Sequence, residues 1–243
     1  MNDKKSLIVP SSIMAASVLL SVIIFSTVWK SARTADQTIT VTGSAKEFII
    51  SNLGILNGSM SATESDAKTA YNKLKSMMPI LQSYLNNKGF TKEKVEFFAI
   101  ENYAVYELNS QGFQTQNISH YVYTQRFKIE SGDVQLIKNL ALTISELIEQ
   151  GVQINTPQPE YLFTNIDEIK IAVQAKAAEN AMLRALKIAE ATDRNLGPLR
   201  SARMGVIQIT PRNSTMVSDY GFNDTSSIEK EITAVVSASF SIE

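Results

Sequence analysis

Residues 7–29 constrain the fold of this chain most, because they contain no charged side chain. Lys30 and Arg33 follow shortly after them. At a rise of about 1.5 Å per residue, a helix of this length crosses a hydrocarbon layer of about 30 Å. The sequence therefore predicts a short tail at residues 1–6, a transmembrane signal-anchor at residues 7–29 and a polar linker at residues 30–37.

A cleaved secretory signal is the alternative for this segment, since such a signal also begins with positive charge, here Lys4 and Lys5. The length of the apolar run favours an uncleaved anchor, and Arg33 interrupts the candidate cleavage residues Ala32 and Ala35. The charges on the two flanks nearly balance, so they give little orientation. Short N-terminal tails usually stay cytoplasmic, which predicts a single-pass protein with its body outside. A body that faces the cytoplasm, as an intracellular adaptor would, stays open.

The composition of the chain argues against several classes of function. It has 23 basic and 24 acidic residues and a formal net charge of -1, so no overall field attracts nucleic acid. It has no cysteine, which excludes disulfides, thiolate zinc sites and a cysteine nucleophile. Neither Gly-x-Gly-x-x-Gly nor a Walker pattern occurs. We expect no cofactor and no nucleic-acid partner.

The body begins with two predicted strands. Residues 38–42 alternate apolar and hydroxyl side chains, as a half-buried strand does. Gly43 and Ser44 then predict a turn. Residues 47–62 predict a second, longer strand or a bulged pair of strands, with Gly54 and Gly58 as bulges or points of close approach. We expect these two strands to form a hairpin.

The next segment has the apolar spacing of a long helix. Ser61 and Glu64 resemble a capping box at its start, and Gly89 is a natural stop. Pro79 lies inside this segment and is expected to bend or interrupt the helix, because proline lacks a backbone N–H.

A second hairpin and a second helix follow. Residues 95–106 and 118–129 have the composition of strands and are separated by a polar loop. The segment from Ser131 to Asp133 offers caps for an amphipathic helix that ends before Gly151. Residues 152–163 predict a strand, and two prolines confine part of it to a sheet edge.

A third helix begins near Asp167 and is rich in alanine, so its backbone can lie close against a sheet or another helix. Gly197 and Pro198 are expected to end the helical region, and residues 206–209 and 231–242 predict strands. This order predicts an α+β fold of largely antiparallel sheets covered by three main helices, preceded by one N-terminal transmembrane helix. The alanines are Ala172, Ala175, Ala177, Ala178, Ala181, Ala185 and Ala189.

Three segments resemble a known family: ITVTG at residues 39–43, TESDAKTA at residues 63–70 and RALKIA at residues 184–189. Their order and spacing resemble the SIMPL domain, also called DUF541, over residues 38–243. Departures occur at Ser51 and Asn52, where the family often has Pro-Asp, and at His120-Tyr121, near a frequent Gly-Tyr.

The resemblance implies an envelope or periplasmic protein with a mixed α/β body that tends to form oligomers. It implies no established catalysis, and it associates some bacterial relatives with oxidative-stress defence. With the anchor, it places the protein in the inner membrane with its body in the periplasm.

His120 is the only histidine and the first residue to test as a general base or metal ligand. No serine elbow or orienting acid lies near it in sequence, so we interpret it as a structural or surface residue. The neighbouring aromatic residues predict a sheet or interface covering, with a ligand groove as the alternative. They are Tyr103, Tyr106, Phe113, Tyr121 and Tyr123.

Two acidic groups have simple interpretations. Asp219, Asn223 and Asp224 do not match the spacing of a calcium loop and are interpreted as a solvated loop. Asp167 and Glu168 stand at a predicted helix start, where negative charge complements the helix dipole. We therefore predict no catalytic, cofactor-binding or metal-binding residue.

These observations give two hypotheses of function. The first is a non-catalytic, membrane-anchored envelope protein that acts by forming a homo-oligomer or by binding an envelope partner, with a link to stress defence. The alternative is a small-ligand binder or unusual hydrolase with a cleft near His120.

Overall fold

The computed structural model of the chain describes residues 3–35 and 37–242. Its internal contacts divide the chain into two compact units. The first unit comprises Met1–Lys46, Ile169–Ile207 and Thr233–Glu243, and the second comprises Glu47–Glu168 and Gln208–Ile232. The sequence predicts one domain over residues 38–243, and within that range the structure has these two units.

The N-terminal segment is one helix, α1, over Asp3–Ala35. The side chains of residues 12–29 are exposed throughout. The hydroxyls of Ser17, Ser21 and Thr27 each donate a hydrogen bond of 2.8 Å to a backbone carbonyl about one turn earlier. These bonds satisfy these three hydroxyl hydrogens within the helix itself, as an apolar surrounding requires.

Helix α1 is longer than predicted at both ends. Residues 3–6, predicted as part of a tail, and residues 30–35, predicted as a linker, are helical. Residues 30–35 contain neither glycine nor proline, so the helix continues past Trp29 without a local break signal. Residues 1, 2 and 36 of these predicted segments lie outside the described residues.

The first unit is a sheet covered by one helix. The sheet is formed by most of β1 (Thr38–Ile50), by β7 (Leu196–Met204) and by most of β10 (Glu229–Ile242). Strand β10 lies between the other two. β7 runs antiparallel to β10. β1 also runs opposite to β10, because the Ile242 N–H donates to the Gln37 carbonyl at 3.1 Å while Thr40 pairs with Ser239.

Helix α4 (Ile166–Ala191) packs on this sheet through the alanine face predicted from the sequence. Val41 of β1, Ala238 and Phe240 form the facing core. Because alanine ends at its Cβ, the helix backbone can approach the strands closely. The buried residues of α4 are Val173, Ala177, Ala181, Ala185 and Ala189.

Gly43 marks the closest approach of β1 to α4, and it is not a turn. A Cβ placed on Gly43 would lie 2.3 Å from both the Ala177 carbonyl oxygen and the Ala181 nitrogen. The predicted turn at Gly43 and Ser44 was wrong, since β1 continues without a break to Ile50. On either side, the Ser44 N–H donates to the Asn180 side chain at 3.2 Å, and Arg184 donates to the Thr42 carbonyl at 2.8 Å.

The second unit has a longer antiparallel sheet. β4 (Gln114–Ser131) lies between β3 (Val95–Leu108) and β2 (Leu53–Glu64), and the short strands β5 (Ile154–Asn155) and β6 (Glu160–Leu162) pair with the other side of β2. The unit also contains the parallel pair β8 (Gln208–Pro211) and β9 (Phe222–Asn223). The predicted β3–β4 hairpin is confirmed.

Helices α2 (Ala67–Asn87) and α3 (Val134–Thr143) contact this sheet, and a short 3-10 turn over Ile144–Ile148 extends α3. The cap at Asp133 is confirmed, since its carboxylate accepts from the Gln135 and Leu136 N–H groups. The core between helices and sheet contains Leu56, Met60, Leu74, Leu81, Phe90, Phe127, Ile129, Ile137 and Leu140.

Three further predictions about the second unit need correction. β1 and β2 form no hairpin, because β2 pairs with β4. The cap of α2 is Asp66, whose carboxylate accepts from the Thr69 N–H at 2.8 Å, and Ser61 and Glu64 still belong to β2. Pro79 does not interrupt α2, because the helix continues past it to Asn87.

Two predictions near the end of the chain also need correction. The strand expected at residues 152–163 is split into β5 and β6, with Pro157 and Pro159 between them. Helix α4 already ends at Ala191, before Gly197 and Pro198. These two residues lie in β7, a strand that the sequence did not predict. The α+β fold class with largely antiparallel sheets and three main helices in the body is confirmed.

We predict that Gly43→Ala destabilises the protein by about 2–3 kcal/mol, because the added methyl group overlaps backbone atoms of α4 that cannot rotate away. Urea unfolding of the detergent-solubilised chain, followed by circular dichroism, measures this change. Gly132→Ala is the matched control, since its Cβ would meet nothing closer than the Asn52 carbonyl oxygen at 3.8 Å. Equal unfolding midpoints for the two variants would contradict the prediction.

Candidate functional site

His120 lies in β4, opposite Val105 of β3, and is half-buried. Its Nδ1 is 3.1 Å from the hydroxyl oxygen of the adjacent Ser119. It is not among the residues that line the main cavities of the described chain. The alternative of a cleft near His120 therefore stays a prediction without structural support.

The aromatic group near His120 divides into a packed part and an exposed part. Tyr123 packs against the core and meets Tyr71 edge-on, with ring centroids 5.9 Å apart. Tyr121 is half-buried. The exposed members are Tyr103, Tyr106 and Phe113.

Two of the exposed members, Tyr106 and Phe113, belong to the end of the β3–β4 hairpin. β2 pairs with β4 only as far as Tyr121, so before that residue β3 and β4 pair with each other alone. We call this two-stranded end, residues 105–120, the arm. Its four large apolar side chains are between 39% and 67% exposed, and Tyr106 directly opposes Ile118. These side chains are Tyr106, Leu108, Phe113 and Ile118.

Asp224 is buried, and its prediction as part of a solvated loop was wrong. It is 5% exposed, and its Oδ2 lies 3.3 Å from the Nζ of Lys230, which is 1% exposed. Ser226 donates to Oδ1 through its N–H at 2.9 Å and its hydroxyl at 2.7 Å. Ser227 donates to Oδ2 through its N–H at 3.2 Å and also through its hydroxyl. Each carboxylate oxygen of Asp224 therefore accepts two hydrogen bonds from the serines.

These bonds explain the pKa of Asp224. Burial by itself raises the pKa of this carboxyl. The hydrogen bonds from Ser227 and Ser226 and the charge of Lys230 have the larger, opposite effect, so the pKa is lowered to about 2. Burial lowers the pKa of Lys230, and Asp224 offsets part of that effect. The pair stabilises the unit only while both groups are charged, since each compensates the other.

The other acidic candidates do not form a ligand set. Asp219 and Asn223 are exposed, whereas Asp224 points its carboxylate into the unit, toward Lys230. Asp167 and Glu168 lie in the first turn of α4, as predicted. Among the described residues, no group of three or more histidine, cysteine, aspartate or glutamate side chains could hold a metal ion.

A cavity of about 500 Å³ adjoins the loop that follows Asp224. Helix α3 contributes Lys138 and Leu142, β6 contributes Tyr161, and the loop contributes Ser226 and Ser227. All of these residues belong to the second unit.

Sequence reasoning missed this region. The pattern Asp224-Thr225-Ser226-Ser227 was its signal, because an aspartate that precedes serines by two and three residues often accepts from their backbone N–H groups. Lys138 and Tyr161 had no such signal, since they are far apart in sequence and meet only in the fold.

Helix α1 carries the one segment of the described chain that is long and apolar enough to cross a membrane. This segment, Ser12–Trp29, has a mean hydropathy of 2.1, and none of it is buried within the protein. A transmembrane anchor and a signal sequence both meet this description. The structure therefore supports a signal or anchor at this end of the chain.

The fold and this helix define a class, an α+β body with largely antiparallel sheets that follows an N-terminal apolar helix. Within that class the chain belongs to the SIMPL family, described as a protein of unknown function (DUF541), which matches residues 39–240. The match confirms the resemblance drawn from the sequence. No curated protein matches the chain. The family description assigns no activity.

We predict that protonation of the Asp224 carboxylate in acid destabilises the protein. Because folding lowers its pKa from 3.8 to about 2, it contributes about 2 kcal/mol above its unfolded pKa, and this is lost as the pH falls toward about 2. Unfolding free energies measured at about pH 5 and about pH 2 test this.

The matched control is the double variant Asp224→Asn/Lys230→Met, which removes both buried charges together. Between the two pH values, the unfolding free energy of the double variant should fall by about 2 kcal/mol less than that of the wild type. The same loss in wild type and double variant would show that another group titrates.

Proposed function

We propose that this protein is a non-catalytic envelope module, anchored in the membrane by α1, whose body lies outside the cytoplasm and acts by self-association through the arm. The observation that carries this proposal is the exposed apolar surface of the arm, at Tyr106, Leu108, Phe113 and Ile118.

The arm has the properties of a segment that another molecule covers. Two strands alone are at best marginally stable in water, because a hairpin buries too little apolar surface. Large side chains that remain in water forgo about 25 cal/mol for each Å² that burial would remove. A contiguous group of this kind is typical of an interaction site.

The backbone of the arm also supports pairing between copies. β3 is at the edge of its sheet, so one side of this strand has no neighbour within the described sheet. From Tyr103 to Leu108 the strand carries only one charged residue, Glu107. Edge strands of soluble proteins are usually protected by charge or proline, and an unprotected edge favours addition of another strand.

The membrane location rests on α1. The exposed, uncharged segment Ser12–Trp29 of α1 needs an apolar surrounding, and a bilayer provides one. The outward-facing body, in the inner membrane with the body in the periplasm, enters this proposal through the family resemblance. An envelope partner and a link to stress defence belong to this proposal through the family resemblance alone.

We predict that a reporter fused after Glu243 is exported. Alkaline phosphatase, which is active only outside the cytoplasm, should be active there, and green fluorescent protein should be dark if exported unfolded. An uncleaved anchor keeps the fusion in the membrane pellet after an alkaline wash, whereas a cleaved signal releases it. Fluorescent, phosphatase-negative fusions would contradict the outward orientation.

We predict that Leu108→Asp/Phe113→Asp weakens self-association by about tenfold or more, since charges replace exposed apolar anchors. Native mass spectrometry and light scattering of the detergent-extracted protein at several concentrations measure this. Val217→Asp is the control, because Val217 is 85% exposed in the same unit but lies off the arm. A wild-type protein that stays monomeric at all concentrations would refute self-association.

A further inference from the structure

The cavity beside the Asp224 loop combines one positive charge with an apolar wall. Lys138 and Leu142 lie one turn apart on α3, so both face the same side of the helix. Leu142 is 71% exposed despite its size. Pro157, Pro159 and Ile228 add further apolar surface.

Within the described residues, the Lys138 ammonium has no charged or hydrogen-bonding partner. No acidic residue lines the cavity. The nearest acid in the loop, Asp224, is already neutralised by Lys230 and four hydrogen bonds. The cavity therefore presents a net positive charge.

Tyr161 supplies a second polar group. This residue is 5% exposed and lines the cavity, and its hydroxyl has no hydrogen-bond partner in the part of the chain that the structure describes. The hydroxyl oxygen is not among the fully buried unsatisfied polar atoms of the described chain, so solvent reaches it and it can donate to an acceptor bound in the cavity. Burial also raises the pKa of the Tyr161 hydroxyl, which keeps it protonated and able to donate.

The cavity wall opposite α3 is held in place. The Ser226 and Ser227 hydroxyls donate to Asp224, and the Ser51 N–H donates to the Ile228 carbonyl at 2.9 Å. The Tyr161 N–H donates to the Thr225 carbonyl at 2.7 Å, which ties β6 to the same loop. A wall fixed in this way loses little conformational entropy when a ligand binds.

We propose that this cavity binds a small organic carboxylate with an apolar body, whose carboxylate contacts the Lys138 ammonium and the Tyr161 hydroxyl. The apolar body lies against Leu142, the two prolines and Ile228. A volume of about 500 Å³ is within the usual range of small-molecule sites. This inference does not depend on self-association through the arm.

The experiment uses the full chain in detergent micelles and (4-fluorophenyl)acetate, observed by fluorine NMR, with empty micelles as the partition background. The matched uncharged probe is (4-fluorophenyl)acetamide. We expect the acid to bind about tenfold or more tightly than the amide, since hydrogen bonds to a charged group are about twice as strong as neutral ones.

Three variants locate the binding. Lys138→Gln should weaken binding of the acid about tenfold, because it removes the positive charge, and Tyr161→Phe about threefold, because it removes a hydroxyl donor. Lys75→Gln should leave it unchanged, since Lys75 is on α2 and does not line the cavity. Lys138 is exposed, so its variant should unfold at the wild-type urea concentration.

Equal affinity of the acid and the amide for the wild-type protein would overturn the inference, and so would unchanged binding in Lys138→Gln. The arm variant Leu108→Asp/Phe113→Asp separates the two proposals. It should bind the acid as wild type does even when it no longer self-associates.

Discussion

A buried charge pair, Asp224 with Lys230, is the interaction on which the candidate site depends. Charges taken out of water persist only when every group around them is satisfied, and here two serines and the lysine meet the carboxylate. The same loop is joined to β8, through the Asp224 N–H and the Ile209 carbonyl at 2.9 Å, and to β6 through Tyr161. One aspartate thereby fixes a wall of the cavity.

The second unit offers two different surfaces for binding. The arm is apolar, extended and open along one strand, which suits a second copy of the chain. The cavity is concave and carries one positive charge, which suits a small anion. Each surface arises because the fold leaves particular groups unsatisfied: apolar side chains in the arm, and an ammonium and a hydroxyl in the cavity. Both roles are compatible with attachment of the chain through α1.

Local patterns predicted much of the fold. Alternation predicted β1 and β10, helical spacing predicted α2, α3 and α4, and the cap at Asp133 was recognised, because these signals depend on neighbours in sequence. Glycine and proline were less reliable. Gly43 was interpreted as a turn, although it is the point where α4 approaches β1, and Gly197 and Pro198 were interpreted as a helix end although they lie in β7. A residue without a Cβ serves a turn and a close approach equally well, and only the packing partner distinguishes them.

The sequence by itself determined the apolar helix at the N-terminus, the family, the α+β class and the alanine face of α4, because each follows from composition or short-range periodicity. Only the tertiary structure decided that β2 pairs with β4 instead of β1, that Asp224 is buried, and that Lys138 and Tyr161 line one cavity. These facts depend on contacts between residues distant in sequence. Such contacts are selected by the packing of the whole unit, and no local pattern encodes them.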